Sequence, residues 1–305
     1  MSYQAAAARS SGRRARPPRR QLGVALMFVA PALFGFVAFH LWPAIQGLYL
    51  SFTDWNVLSP AQFIGLDNYA RLLQDPLFWN SLAVTAEYVA INIGLQTALA
   101  LGLAVLLHRL TQSMVVRGII LLPYMIPNVV VALVGFWMLD YQLGIGNQVL
   151  VWLGLDRIPF FGSEFWAIPT IAGLNIWRHL GYTALLIFAG LQTIPKDLYE
   201  AGAIDGASEW RMFWRITLPL LRPVLALVLV LTVIGSFQIF DTIAVTTEGG
   251  PVNATRVIYF YIFERAFDQF DFGYAAAMSV VLMLILSGIT LLQLRMLRAG
   301  ESDLS

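Results

Sequence analysis

The chain contains no cysteine, so it has no disulfide framework, no thiol nucleophile and no cysteine-bound metal. Its single lysine, Lys196, follows Pro195, and no G-x-x-x-x-G-K run exists, which excludes a phosphate loop that holds ATP. The three histidines, His40, His108 and His179, stand far apart and form no H-E-x-x-H zinc motif. No G-x-S-x-G nucleophile elbow occurs. The glycine-rich TEGGPVNAT resembles no phosphate cradle, and its Asn253-Ala254-Thr255 is a glycosylation sequon by pattern only. Charge is scarce too: 12% of residues are charged, where soluble domains carry about 25%. With a net charge of +1, the chain shows no global electrostatic attraction to nucleic acid. Intrinsic enzymatic activity is not expected, nor is a bound cofactor or metal.

What remains is apolar. Of the 305 residues, 58% are hydrophobic, and mean hydropathy is +0.70. Such a surface belongs in a bilayer. Six runs are long enough to cross it, at 22–42, 83–107, 118–139, 167–194, 223–245 and 274–296. The fourth is long enough to tilt or to begin near 172. Pro123 and Pro127 should kink the third. The first reads as a retained span rather than a signal peptide, because it is about 20 residues long and lacks a small-residue cleavage site. Residues 1–21 form a basic tail without an apolar face, and 297–305 a short C-terminal tail.

Basic residues orient the spans. With the N-terminus inside, the inner segments hold 14 lysines and arginines and the outer loops 4, namely Arg71, Arg157, Arg256 and Arg265. Arg178 stands within a span. Both termini are therefore expected in the cytoplasm, with long aromatic-rich outer loops near 43–82, 140–166 and 246–273.

The inner loop 195–222 is unusually elaborate. Pro195 and Asp197 suit a helix start, and a first helix is expected to run to Ile204. Asp205-Gly206 is a turn signal, and Ser208 with Glu209 begins a second helix that Pro219 should stop. That second helix carries Trp210, Phe213 and Trp214 among Arg211 and Arg215. Two readings fit: an amphipathic helix at the lipid surface, or a docking knob whose small residues Ala201, Gly202, Ala203 and Gly206 admit a partner protein.

Charged groups in spans cost about 2.5–3.5 kcal/mol each near the bilayer centre. The candidates are Glu87, Arg178, His179 and Asp241. Arg178 can snorkel outward, pair with Glu87 or Asp241, or line a polar cavity. Tyr124, Asn128, Asn175, Trp177, Tyr182, Phe237 and Gln238 have the planar polar groups and rings that bind hydroxylated solutes. Of these Asn128, Tyr182 and Gln238 are chosen as cavity residues.

The spacing Glu200-Ala201-Gly202, Gly206, Ile216, Leu218-Pro219 resembles E-A-A-x₃-G-x₉-I-x-L-P, the inner-loop motif of ABC importer permeases. Gly202 departs from it, standing where the motif has alanine. FIGLDNYARLL, FWNSLAVTAEY, LLPYMIPNVVVALVGFWML and FDTIAVTTEGGPVNAT extend the likeness over most of residues 25–296. They are similar to binding-protein-dependent permeases of the carbohydrate-uptake class, the subunit type related to maltose and glycerol-3-phosphate permeases.

The resemblance implies an all-α, polytopic permease fold with six transmembrane helices over 22–296, in a bacterial or archaeal plasma membrane. It implies a second permease subunit, two ATPase subunits that use ATP and Mg, and an extracytoplasmic solute-binding protein. Glu200, Ala201, Gly202, Asp205, Gly206, Ala207, Phe213, Leu218 and Pro219 would then couple the chain to the ATPase. Asn128, Arg178, Tyr182, Gln238 and Asp241 would line the solute path. A self-sufficient secondary transporter or channel is the alternative; it needs no ATPase knob and usually shows repeats with broken helices.

Overall fold

A computed structural model of the chain describes residues 19–111 and 113–298. The tail expected at 1–21 lies outside the described residues up to residue 18, as does 299–305 of the C-terminal tail. Two compact units are present, divided between Tyr49 and Leu50.

The first unit is helical from Arg19, three residues before the expected span. It comprises α1 (Arg19–Phe36), a π turn (Val37–Leu41) and α2 (Trp42–Leu50). Met27–Leu50 is long and apolar enough to cross a membrane. Its large side chains, including Phe28, Phe34 and Phe39, are exposed, as lipid-facing residues would be. The helix also outruns the expected end at 42: it runs on through Pro43, which follows directly on the π turn, to Leu50.

The second unit opens on a two-stranded antiparallel hairpin, β1 (Thr53–Asp54) with β2 (Gln62–Phe63). Then follow α3 (Asp67–Gln74) and α4 (Pro76–Leu110). Next come α5 (Met114–Met125), α6 (Asn128–Met138), α7 (Ile145–Trp152) and α8 (Ala167–Leu191). The inner loop carries α9 (Lys196–Ile204), α10 (Glu209–Met212), a π turn (Phe213–Thr217) and α11 (Leu218–Leu220). The rest is α12 (Arg222–Phe237), α13 (Asp241–Thr246), α14 (Ile258–Phe263), a π turn (Glu264–Asp268) and α15 (Phe272–Arg298). The expected outer loops thus hold short helices, α3, α7 and α14, rather than irregular chain.

Among the described residues four helical stretches are long and apolar enough to span, and a fifth results if α5 and α6 count as one. Those two meet at a bend of 85°. The break falls at Ile126-Pro127, where a proline removes a backbone donor and holds its predecessor out of the α region. The fourth expected span is α8, helical from Ala167 rather than from 172. Its middle, Asn175 to His179, is too polar for it to stand among the most apolar helices. It is nonetheless the most enclosed helix. Ala100 and Ala104 of α4 meet Ala184 of α8 with no side chain exposed, the small-residue packing that lets membrane helices approach closely. Gly181 presses closer still: a methyl there would lie 1.9 Å from the Ile120 carbonyl oxygen of α5.

Helix α4 begins with a full cap. Asp75 accepts the amides of Leu77 at 2.9 Å and Phe78 at 3.3 Å through Oδ1, and Pro76 supplies the first turn. Its other oxygen accepts the phenols of Tyr261 at 2.6 Å and Tyr274 at 2.7 Å, which ties α4 to α14 and α15. Arg265 donates to the Tyr261 oxygen, and Arg71 pairs with Asp271 at 2.8 Å. Burial pushes the Asp75 carboxyl up, but the two phenols and two amides outweigh it and the net shift is downward. The same burial, with the Asp75 bond, pushes the Tyr261 phenol up to about 12.

Candidate functional site

Two span interruptions meet at one cavity. The first is the α5/α6 break. The second follows Gly235-Ser236, where α12 ends at Phe237 and α13 restarts at Asp241. Glycine–serine pairs are recurrent sites of such kinks. Between them lies a polar cavity of about 460 Å³. All five nominated pathway residues, Asn128, Arg178, Tyr182, Gln238 and Asp241, line it, with Tyr124, Asn175 and His179. Glu87, Trp177 and Phe237 do not; Phe237 is packed in the core, and Glu87 and Trp177 are exposed. A larger groove of about 730 Å³ along α12, α14 and α15 has mainly aliphatic walls, so it offers a polar solute less.

Among the described residues Arg178 pairs with no acid. Its Nε donates to the Ile126 carbonyl at 2.9 Å, the acceptor freed by the proline break, and its guanidinium lies 5.3 Å from the centre of the Tyr124 ring. His179 Nδ1 lies 3.0 Å from the Asn175 carbonyl oxygen, which only accepts, so that nitrogen carries the proton. Nε2 is then the acceptor for Arg178 Nη1 at 3.0 Å. The Tyr124 and Tyr182 rings stack at 4.4 Å, and Asn128 Nδ2 donates to Asp241 across the two breaks at 3.3 Å.

Asn92 and Gln96 also line this cavity, and sequence reasoning passed them over. They stand one turn apart on α4, both nearly fully buried, and join it to its neighbours. Asn92 donates to Ser236 at 2.7 Å and Gln96 to Thr183 at 2.9 Å. Ser236 gives its own proton to the Thr232 carbonyl, so Asn92 must present its NH₂ group and is left with an unbonded Oδ1. The Gln96 oxygen is likewise unbonded. The i, i+4 spacing of two amides in an apolar run was the available signal.

The inner loop has the expected helix–turn–helix form. Gly206 at φ +72° closes α9: its amide donates to Ala203 and that of Ala207 to Gly202, the paired bonds of a Schellman motif. Ser208 caps α10 through the Arg211 amide at 3.4 Å. One expectation fails. Pro219 does not end the helix, because the backbone widens into a π turn just before it and Pro219 falls in the first turn of α11, where a proline has no donor to lose. Gly202 gains an explanation: a methyl there would lie 3.2 Å from Ile216 and 3.3 Å from Met212, so the two halves of the loop close over the missing side chain. The halves are fastened further by Tyr199 to Thr217 at 2.9 Å, and the loop is held to the end of α4 by an Arg109–Glu209 ion pair. Glu200, Ala201, Asp205 and Gly206 are exposed, Ala207 is half-buried and Ile204 at the turn is 87% exposed. Phe213, Leu218 and Pro219 are half-buried.

Residues 96–299 match the family described as binding-protein-dependent transport system inner membrane component. The chain belongs to this family. The permease protein of a sulfoquinovosyl glycerol transport system from Agrobacterium fabrum is 36% identical over 282 residues, 91% of each chain. That of a trehalose/maltose transport system from Thermococcus litoralis is 34% identical, over 90% of this chain and 94% of the relative. Solved structures of a bacterial ABC transporter that imports the acidic polysaccharide alginate match with TM-score 0.81 and 26% identity. They cover 92% of this chain and 96% of theirs, and one includes a periplasmic protein bound to an alginate pentasaccharide. Like these relatives, this binding-protein-dependent permease is a multi-pass membrane protein.

Proposed function

We propose that the chain is the permease subunit of an ATP-driven importer for a sugar or sugar-like solute, working by alternating access in a bacterial or archaeal inner membrane. The inner loop, with its exposed turn at Gly206 in a chain of the binding-protein-dependent family, carries this reading, and the polar cavity where two broken spans meet supplies a path for the solute. Planar amides, a stacked tyrosine pair and one guanidinium suit hydroxyl groups and sugar faces, and broken helices put irregular backbone only where it lines such a cavity. Six spans with both termini cytoplasmic accommodate this arrangement, α8 being the sixth. In this reading a second permease completes the path, two ATPase subunits using ATP and Mg dock below, and a solute-binding protein delivers from outside. Glu200, Ala201, Gly202, Asp205, Gly206 and Ala207 form the knob that enters the ATPase. Phe213, Leu218 and Pro219 join it to the spans.

Uptake into proteoliposomes holding the whole complex tests the proposal. Glu200→Ala and Gly206→Val abolish uptake while the chain still inserts, the second by straining a left-handed backbone that only glycine adopts freely. Normal uptake and normal ATPase co-purification in both would overturn it. Uptake by this chain without an ATPase would favour a secondary transporter instead.

A further inference from the structure

The inner loop divides into halves of opposite character. Residues 196–205 hold Lys196 against three acids, Asp197, Glu200 and Asp205, all exposed. Residues 206–222 hold Arg211, Arg215 and Arg222, also exposed, and one acid, Glu209, already paired with Arg109. Among the described residues none of these three guanidiniums has a side-chain partner. Beside them lies an apolar patch: Trp210 is 70% exposed and Trp214 50%, their rings meet edge to face at 5.5 Å, and Phe213 stacks on Trp210 at 6.1 Å and meets Trp214 edge to face at 5.4 Å. The patch is continuous with a span, since only Leu221 separates α11 from α12.

We propose that residues 210–222 lie on the membrane surface as a lipid anchor selective for anionic phospholipid, while the acidic first half is left free for a protein partner. Tryptophans settle at headgroup depth, and a short helix with aromatics on one face and arginines on another binds anionic lipid in the interface plane. An acidic α9 is repelled by that surface, so charge sorts the halves to two different neighbours. The anchor holds the loop's second half at fixed depth beside the start of α12. The proposal needs only that the chain is membrane-embedded, and its test involves no transport measurement.

The absence of cysteine makes the test direct. Full-length Trp210→Cys and Ile204→Cys variants each carry one fluorophore, in phosphatidylcholine vesicles with or without phosphatidylglycerol. The expected result is quenching by headgroup nitroxide lipids several times stronger at 210 than at 204, enhanced by phosphatidylglycerol. The enhancement is lost when Arg211 and Arg215 are replaced by glutamine. If the Trp210 variant fails to insert, a label at Trp214→Cys serves the same comparison. Equal quenching at the two ends of the loop, or indifference to lipid charge, would overturn the proposal. So would quenching at 210 that disappears when the ATPase subunits are added, which would assign the patch to them.

Discussion

Arg178 Nε bonds the carbonyl of Ile126, 2.9 Å away, in the gap where α5 has ended and α6 has not begun. The arginine thus satisfies the backbone acceptor that a proline break leaves open. Uncovering such a group costs about 1–3 kcal/mol. Arg178→Ala is therefore expected to lower the uptake rate by about tenfold or more while the chain still inserts. Arg178→Lys recovers only part, because an ammonium lacks the planar fork that serves Ile126 and His179 together while lying over Tyr124. Full recovery with lysine would mean that charge alone matters.

The Tyr124–Tyr182 stack offers a flat surface of the kind on which sugar faces rest. Tyr182→Ala should raise the transport KM by roughly tenfold, on the scale of about 1.4 kcal/mol of lost contact, while Tyr182→Phe leaves KM near the parent value if stacking rather than the hydroxyl does the binding. Initial uptake rates across a solute series measure both.

Gly202 is predicted to tolerate alanine and nothing larger. A methyl meets only the far ends of Ile216 and Met212, which can give way, and alanine regains up to ~1 kcal/mol of helix propensity. Uptake should stay within about twofold of the parent for Gly202→Ala, equivalent to less than about 0.5 kcal/mol. Gly202→Leu should separate the loop's halves and abolish uptake. Inactivity of the alanine variant would show that the gap itself is required.

The brace centred on Asp75 gives a pH dependence. A carboxyl held below its ordinary value of about 3.9 stabilises the fold above that value, and this stability is lost as pH falls through the folded pKa. The Tyr261 phenol, pushed up to about 12, contributes stability fully below about 10 that is lost as pH rises towards 12. Thermal stability in detergent should therefore keep the brace's contribution between roughly pH 4 and 10. Asp75→Ala should cost about 0.5–2 kcal/mol from the cap alone. Combined with Tyr274→Phe it should cost less than the sum of the single changes, because both remove the same bond.

Local rules made the inner loop legible. Asp205-Gly206, Ser208 and Pro195 each act within a turn of the chain, and the structure follows them. Pro127 likewise announced the first break. The second break has no proline and was missed, with only Gly235-Ser236 to mark it. Asn92 and Gln96 stand out in the chain only through their partners Ser236 and Thr183, which come from distant segments. The Asp75 brace was hidden for the same reason: Tyr261 and Tyr274 lie nearly two hundred residues away. Pro219 misled because a proline signals a stop only in an unbroken α register, and the π turn changes that register.

The fastening of the inner loop has a mechanical consequence. With its halves closed over Gly202, Tyr199 bonded to Thr217 and Glu209 paired to Arg109, the loop has little compliance of its own. Whatever displaces the turn at Ile204 must carry the ends of α4 and α12 with it rather than dissipate in bending between them. In the proposed coupling role the segment would act as a lever, passing displacement of its tip to the spans to which it is fastened.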